Sequence, residues 1–232
     1  MNSIWINNMC DYKTTKNCVV SAKIIIDLKT QRRDILLKKY HISYQKNNFR
    51  NPKNIQWILL YEARTAKSFW KHFRLLLPEW CYFKGRKAKS MDIVNSMLDI
   101  GYHHITNITK KILNNHDISP ALGILHKANR TNGAPLAYDL VEIFRADTVE
   151  TEVLNFLRLK KKPITGLSQK HIAQFIGRIN KRVERKYFLR EFKQCHTYKY
   201  YMELQIFKFI KAVNHKLIFS PLKLPSRHEK RC

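Results

Sequence analysis

The sequence is poor in the residues that interrupt helices and form tight turns. Its 232 residues include only six glycines and seven prolines, which argues against a turn-rich all-β fold and against long disordered linkers. Hydrophobic residues make up 44% of the chain, so a substantial core can be buried. This composition indicates one large domain or two small ones, built mostly from helices.

Long apolar runs and closely spaced cysteine pairs are also missing. The longest apolar runs are only a few residues, so we expect no segment that spans a membrane. The N-terminus has no basic region followed by an apolar stretch, which a signal peptide would need. The five cysteines show no C-x-x-C spacing, so a cysteine zinc site is not expected.

Acidic residues are scarce, and this absence points to a partner. The chain has 17 Asp and Glu against 44 Lys and Arg, a net charge of +27. Such an excess destabilises the compact state through self-repulsion, which a polyanion would relieve. Nucleic acid is the leading candidate because phosphate neutralisation dominates its binding. A membrane surface is the alternative, but the basic residues are spread along the chain instead of forming one amphipathic segment.

Hydrophobic spacing predicts about seven helices and no confident strand, hence a mainly α fold. Ser90 or Asp92 can cap the third helix, and Ser168 a later one. We expect a short polar N-terminal stub at 1–18, a single helical domain at 19–222 and a basic tail at 223–232. The predicted helices are Val19–Tyr40, Ile55–Leu77, Met91–Asn115, 136–147, 148–162, 169–188 and 197–214.

A histidine precedes two acids in the stretch "ALGILHKANRTNGAPLAYDLVEIF". Asp139 and Glu142 share a helix face at spacing i, i+3, and a nearby cation would remove their mutual repulsion. By spacing alone, they are also compatible with a solvated acidic edge paired to surrounding Lys and Arg. His126 alone is equally compatible with a hydrogen-bonded core histidine.

Glu62 adds a third carboxylate within an apolar helical segment. A carboxylate there is costly unless it is paired, and Arg64, Lys67 or a metal ion are the possible partners. Together, Glu62, His126 and Glu142 suggest an oxygen-rich site with one imidazole, which suits Mg²⁺ or Mn²⁺. A metal in a basic cleft can polarise a phosphodiester.

Four motifs in the same order resemble the family of metal-dependent DNA endonucleases that act as integrases in CRISPR adaptation. They are "YEARTAKSFW", "KSMDIVNSMLDIGY", "ISPALGILHKANRTNGAPLAYDLVEIFRAD" and the late "YKYYMELQIFKFIKAVNHKLIFSP". The resemblance runs from about residue 20 to 222. It implies that the chain is a single multi-helix catalytic domain similar to the C-terminal domain of that family.

The resemblance assigns roles to the four site residues. Glu62, His126 and Glu142 match the family's ligands for Mg²⁺ or Mn²⁺, and Asp139 matches an additional active-site acid. It implies a cytoplasmic prokaryotic enzyme that inserts spacers: the 3′-hydroxyl of a prespacer fragment attacks a phosphodiester at a CRISPR repeat. The implied partners are these DNAs, a second copy in a homodimer and a small ferredoxin-like adaptation protein.

The family's usual N-terminal β-domain has no counterpart before Glu62, so we expect it to be missing or reduced to a stub. This departure leaves a second hypothesis open, a truncated and non-catalytic DNA-binding remnant of the family. The candidates for phosphate contacts are basic loop residues, whose alternative is a solvated surface. They are Lys84, Arg86, Lys87, Lys89 and Arg130.

Overall fold

The computed structural model describes residues 3–43, 52–128, 133–160, 162–189 and 191–223. Within these residues the chain forms eight α-helices and one two-stranded hairpin, which confirms the predicted mainly α fold. The helices are α1 Ser3–Lys13, α2 Lys16–Lys38, α3 Ile55–Arg74, α4 Ile93–Asn115, α5 Pro135–Val141, α6 Thr151–Arg158, α7 Gln169–Val183 and α8 Tyr198–Asn214, and the antiparallel strands are β1 Lys186–Leu189 and β2 Gln194–Thr197.

Side-chain caps begin α3 and α4. Asn54 accepts the N–H of Trp57 at the start of α3. At α4 the cap is Asp92, whose Oδ1 lies 2.9 Å from the N of Asn95, while the Ser90 hydroxyl donates to the other oxygen of Asp92 at 2.6 Å. These caps satisfy N–H groups that have no partner within a helix, so both helices start where the polar residues stand.

One hydrophobic core joins the helices. In it α2 packs along α3, α4 against α5 and α1 against α8. Gly101 of α4 permits a close crossing, since a Cβ there would overlap Cγ1 of Val149 and come within 3.3 Å of the Phe175 ring. The crossing brings α4 against the π-helical turn Ala146–Glu150 that connects the α5 region to α6.

A buried polar layer runs between α2 and that π-helical turn. Nε of Arg32 lies 2.7 Å from Oδ2 of Asp147, and NH2 of Arg33 lies 2.5 Å from Oε1 of Glu150. Glu150 is fully buried and Arg33 retains only 4% of its surface. Arg32 and Arg33 of α2 therefore face the interior, where they balance acids that would otherwise be buried without partners.

Two regions differ from the prediction. Residues predicted as a polar stub contain α1, whose Trp5, Met9 and Tyr12 are buried against the rest of the fold. The helix predicted over 169–188 ends at Val183, and the hairpin of β1 and β2 follows. Strands of four residues are too short to display a clear alternation, so the apolar pattern of α7 hid them. Among the described helices, none is long and apolar enough to cross a membrane.

Candidate active site

Asp139 organises the segment that carries His126. It is fully buried in α5, and its Oδ2 accepts the N–H groups of Ile124 at 2.5 Å and Leu125 at 3.0 Å. Its Oδ1 lies 2.9 Å from the backbone N and 2.7 Å from Nδ1 of His126. With Nδ1 turned to the carboxylate, Nε2 of His126 is the nitrogen available to bind a ligand.

Gly123 allows the backbone to approach this carboxylate. A Cβ at position 123 would lie 2.6 Å from Oδ2 of Asp139 and 2.8 Å from Cβ of Pro135. Both distances are far inside van der Waals contact, so any side chain there would displace Asp139 or α5. The Pro-x-x-Gly-x-x-His spacing therefore has a steric reason at its glycine.

Glu62 and Glu142 meet at a single buried ammonium. Nζ of Lys29, from α2, lies 2.6 Å from Oε1 of Glu62 and 2.7 Å from Oε2 of Glu142. The Lys29 and Glu142 side chains are 6% and 4% exposed, and that of Glu62 is 26% exposed. Lys29 holds Oε2 of Glu142 by charge attraction, and within the described residues this buried oxygen has no hydrogen bond of good geometry.

Arg145 supplies a second cation to Glu142. Its NH1 lies 2.6 Å from Oε1 of Glu142, and its guanidinium sits 4.4 Å from the ring centre of Tyr102. Tyr102 in turn donates to Oε1 of Glu150 at 2.8 Å. This chain of contacts joins the site to the polar layer of α2, because Arg33 binds the same carboxylate.

These surroundings shift the pKa values of two site residues. Burial opposes ionisation of Glu142, but Arg145 and then Lys29 outweigh it and lower the pKa of Glu142 to about 2. The hydrogen bond to Asp139 raises the pKa of His126 above its usual value, against the opposing effect of burial. Glu142 is therefore a carboxylate throughout the physiological range.

The structure brings the predicted site residues together in two pairs. His126 bonds to Asp139, whereas Glu142, three residues later, turns to Lys29 and Arg145. Both acids are buried, so the solvated acidic edge that spacing alone allowed is wrong. Glu62 pairs with Lys29 from another helix, while Arg64 and Lys67, the two neighbours considered as partners, are exposed.

Glu62, Glu142 and His126 are suitable ligands for a divalent cation, although the three side chains do not lie close together. Two carboxylates and an imidazole Nε2 are ligands that Mg²⁺ and Mn²⁺ accept, and the Lys29 ammonium already stands where two of them share a positive charge. In the part of the chain that the structure describes, no three His, Cys, Asp or Glu side chains lie close enough together to hold a metal ion. The residue types therefore fit a divalent metal ion. To bind one together, Glu62 and Glu142 must give up their present contacts with Lys29.

Sequence reasoning missed Lys29 and Arg145. Arg145 follows Glu142 at spacing i, i+3, a signal that pairing rules for helices could have used. Lys29 gave no such signal because its partners lie 33 residues away in α3 and beyond α5.

The predicted phosphate-contact loop divides into two parts. Lys84, Lys87 and Lys89 are exposed. Arg86 is used within the chain: its NH1 lies 2.9 Å from Oδ1 of Asn95, and its NH2 binds Asp99. Asp99 and Asn95 also accept the backbone N–H groups of Lys89 and Lys87, which fixes the loop on α4. Arg130 lies outside the described residues.

The sequence model of the family described as CRISPR associated protein Cas1 matches residues 11–194 of the chain. The chain belongs to the Cas1 family. A curated relative, the CRISPR-associated endonuclease Cas1 1 of Saccharolobus solfataricus, is 27% identical over 180 residues, which cover 71% of this chain and 50% of the relative. The chain spans about half the length of the curated Cas1 relatives it matches.

Solved structures share the fold. A Cas1 protein from Thermotoga maritima superposes with a TM-score of 0.81 at 16% identity, covering 94% of this chain and 74% of the other. A casposase bound to integration product gives 0.80 at 18% identity, covering 99% and 71%. A chain of a Cas6-RT-Cas1–Cas2 complex gives 0.73 at 20% identity, covering 96% and 26%. At these identities the likeness concerns the fold.

Proposed function

We propose that this Cas1 chain is a metal-dependent DNA endonuclease and integrase, which joins the 3′-hydroxyl of a prespacer fragment to a CRISPR repeat phosphodiester. One observation carries the proposal: Glu62 and Glu142, on separate elements, share a buried cation, and Asp139, three residues before Glu142, orients the imidazole of His126. Membership of the Cas1 family supports the reaction class. Whether this chain is active is a question for a strand-transfer experiment.

Each residue has a distinct task in this proposal. Glu62, Glu142 and Nε2 of His126 would hold Mg²⁺ or Mn²⁺, which polarises a phosphodiester and steadies the leaving oxygen. Asp139 acts through His126, since it bonds to Nδ1 and to the backbone around it. Arg145 keeps Glu142 ionised from one side.

The proposed partner is DNA, namely prespacer fragments and the CRISPR repeat. The proposed location is the cytoplasm of a prokaryotic cell. The charge of +27 supports DNA as the partner, as do the exposed lysines of the 84–89 loop. The fold neighbours in a casposase–product structure and in a Cas6-RT-Cas1–Cas2 complex make DNA and an adaptation partner the natural candidates. A homodimer and a small ferredoxin-like partner protein complete the proposed assembly.

Strand transfer tests this function. Purified full chain is incubated with Mn²⁺, a fragment with a free 3′-hydroxyl and a supercoiled plasmid carrying a repeat, and joined and nicked products are counted. We expect product with the wild type and a loss of at least about 100-fold with Glu62→Ala or His126→Ala. Lys216→Ala, in an exposed ion pair with Asp11, is the control that should retain activity. Equal activity in all variants would refute the metal-site assignment.

A second candidate function is DNA binding without catalysis. Two observations favour it: the proposed metal ligands do not lie close together among the described residues, and Glu62 and Glu142 are already paired with Lys29. DNA affinity would then fall steeply with salt, and no divalent metal would produce joined or nicked DNA. Metal-dependent product formation excludes this candidate.

A further inference from the structure

The charges at the site are already balanced without any metal ion. Glu62 and Glu142 carry two negative charges, and Lys29 and Arg145 supply two positive ones within ion-pair distance. Arg33 does not add to this sum, because it is matched by its own buried partner Glu150. A divalent cation added to this arrangement would leave two uncompensated positive charges in a largely buried place, which is electrostatically costly.

Proximity opposes simultaneous occupation as well. The Lys29 nitrogen lies 2.6 Å and 2.7 Å from the two carboxylate oxygens. Mg²⁺ needs oxygen ligands at about 2.0–2.1 Å. A metal that touched both of these oxygens would therefore lie within about 5 Å of the ammonium nitrogen, where the two cations repel each other strongly in a buried place.

We propose that Lys29 is a tethered cation that competes with the divalent metal for Glu62 and Glu142, and that a DNA phosphate releases it. This inference rests on the proposed metal site and concerns its regulation. When a phosphate enters beside the metal, its oxygens offer the displaced ammonium a new acceptor, and its negative charge offsets one of the two added positive charges. Metal and DNA then bind cooperatively, and by linkage each raises the affinity for the other by the same factor.

Lys29 also explains how the metal-free site keeps its shape. Without it, the buried Glu142 would face Glu62 with Arg145 as its remaining ion-pair partner among the described residues, and like charges so close repel. The ammonium therefore holds α2, α3 and the end of α5 together until metal and DNA arrive. The same contact that preserves the site makes metal binding in free protein weak.

The test measures Mn²⁺ binding directly, by isothermal titration and by the electron paramagnetic resonance signal of unbound Mn²⁺. Wild type, Lys29→Met and Lys29→Gln are compared with and without a short duplex whose 3′ ends are dideoxy, so that no joining occurs. Lys23→Met is the matched control, because Lys23 also lies on α2 and pairs with Asp27 four residues later. Glu142→Gln tests whether the measured ion sits at the proposed ligands.

We expect Lys29→Met to bind Mn²⁺ roughly tenfold tighter than the wild type in the absence of DNA. DNA should tighten Mn²⁺ binding by a similar factor in the wild type and in Lys23→Met, and by much less in Lys29→Met. Metal-free Lys29→Met should melt at lower temperature than the wild type, and Mn²⁺ should restore more of its stability. If Lys29→Met is unfolded in chelator, recovery of the folded state on adding Mn²⁺ supports the inference, and failure to recover counts against it.

Two failures can be told apart. If the wild type binds Mn²⁺ and Glu142→Gln loses it, but Lys29→Met binds no tighter, the metal site stands and the role of Lys29 is refuted. A wild-type affinity for Mn²⁺ that DNA leaves unchanged refutes it equally. If no variant binds Mn²⁺ with or without DNA, the metal site and this inference fall together.

Discussion

The Nδ1 atom of His126 lies 2.7 Å from Oδ1 of Asp139, and the backbone N of the same histidine lies 2.9 Å from the same oxygen. One carboxylate thus fixes both the ring and the main chain of a proposed metal ligand. The consequence is that Asp139 acts on the site without needing to touch a metal or DNA.

Asp139→Asn should damage stability and activity together. The amide group keeps one acceptor oxygen and places its nitrogen either against the N–H groups of Ile124 and Leu125 or against the N–H of His126, so buried donors lose their acceptor in both orientations. We expect a loss of about 2–4 kcal/mol in the free energy of unfolding, measured by urea denaturation. His126→Ala keeps those backbone bonds and should lose much less stability while losing comparable activity. Equal stability of Asp139→Asn and wild type would contradict this role.

Gly123→Ala should disturb the site through the same carboxylate. The added methyl group would lie 2.6 Å from Oδ2 of Asp139, so the loop or the acid must move. We expect destabilisation of about 1–3 kcal/mol and a lower rate of strand transfer. Gly166→Ala is the control, since a Cβ there meets nothing within 4 Å, and it should change stability by no more than about 0.5 kcal/mol. Similar behaviour of the two variants would argue against the close approach.

The buried pair of Arg33 and Glu150 should be costly to break on one side. Arg33→Met removes the ion-pair partner of the fully buried Glu150 and leaves it the Tyr102 hydroxyl as a hydrogen-bond donor, so we expect a loss of about 3–5 kcal/mol in thermal or urea unfolding. Lys216→Ala removes an exposed pair, with side chains 53% and 62% exposed, and should cost less than about 1 kcal/mol.

A double variant separates the charge effect from packing. Arg33→Met combined with Glu150→Leu removes both charges, so it should be more stable than Arg33→Met alone. If the double variant is the less stable of the two, the stranded carboxylate is not the cause of the loss.

The 84–89 loop should separate DNA contacts from structure. Lys84→Gln, Lys87→Gln and Lys89→Gln should weaken binding to all DNA sequences alike. Each true phosphate contact removed should reduce the slope of log affinity against log salt concentration by about 1. Arg86→Gln should instead destabilise the loop, because Arg86 binds Asn95 and Asp99. Fluorescence anisotropy across a salt series measures the first effect, and thermal unfolding measures the second. A sequence-dependent loss in the lysine variants would contradict phosphate contact.

Local sequence patterns predicted most of the helices, but they did not predict the contacts between residues far apart in the chain. The apolar period and the caps Asp92 and Ser168 placed α4 and α7 near their observed starts. The four candidate site residues were predicted from the order of the motifs, and their role stays a prediction. Lys29 was not found, because a period argument assigns lysines to the solvent side and cannot see a carboxylate 33 residues away. The π-helical turn and the partners of Arg32 and Arg33 depend on the same non-local packing.

The basic and acidic sides of the buried layer stand far apart along the chain. Arg32 and Asp147 are separated by 115 residues, and Arg33 and Glu150 by 117. During synthesis α2 is therefore made long before Asp147 and Glu150, the acids that pair with Arg32 and Arg33 in the folded chain. The layer closes only after the second half has been made, and such distant pairings form slowly. A nascent chain would thus carry the basic half of this layer before its acidic half exists.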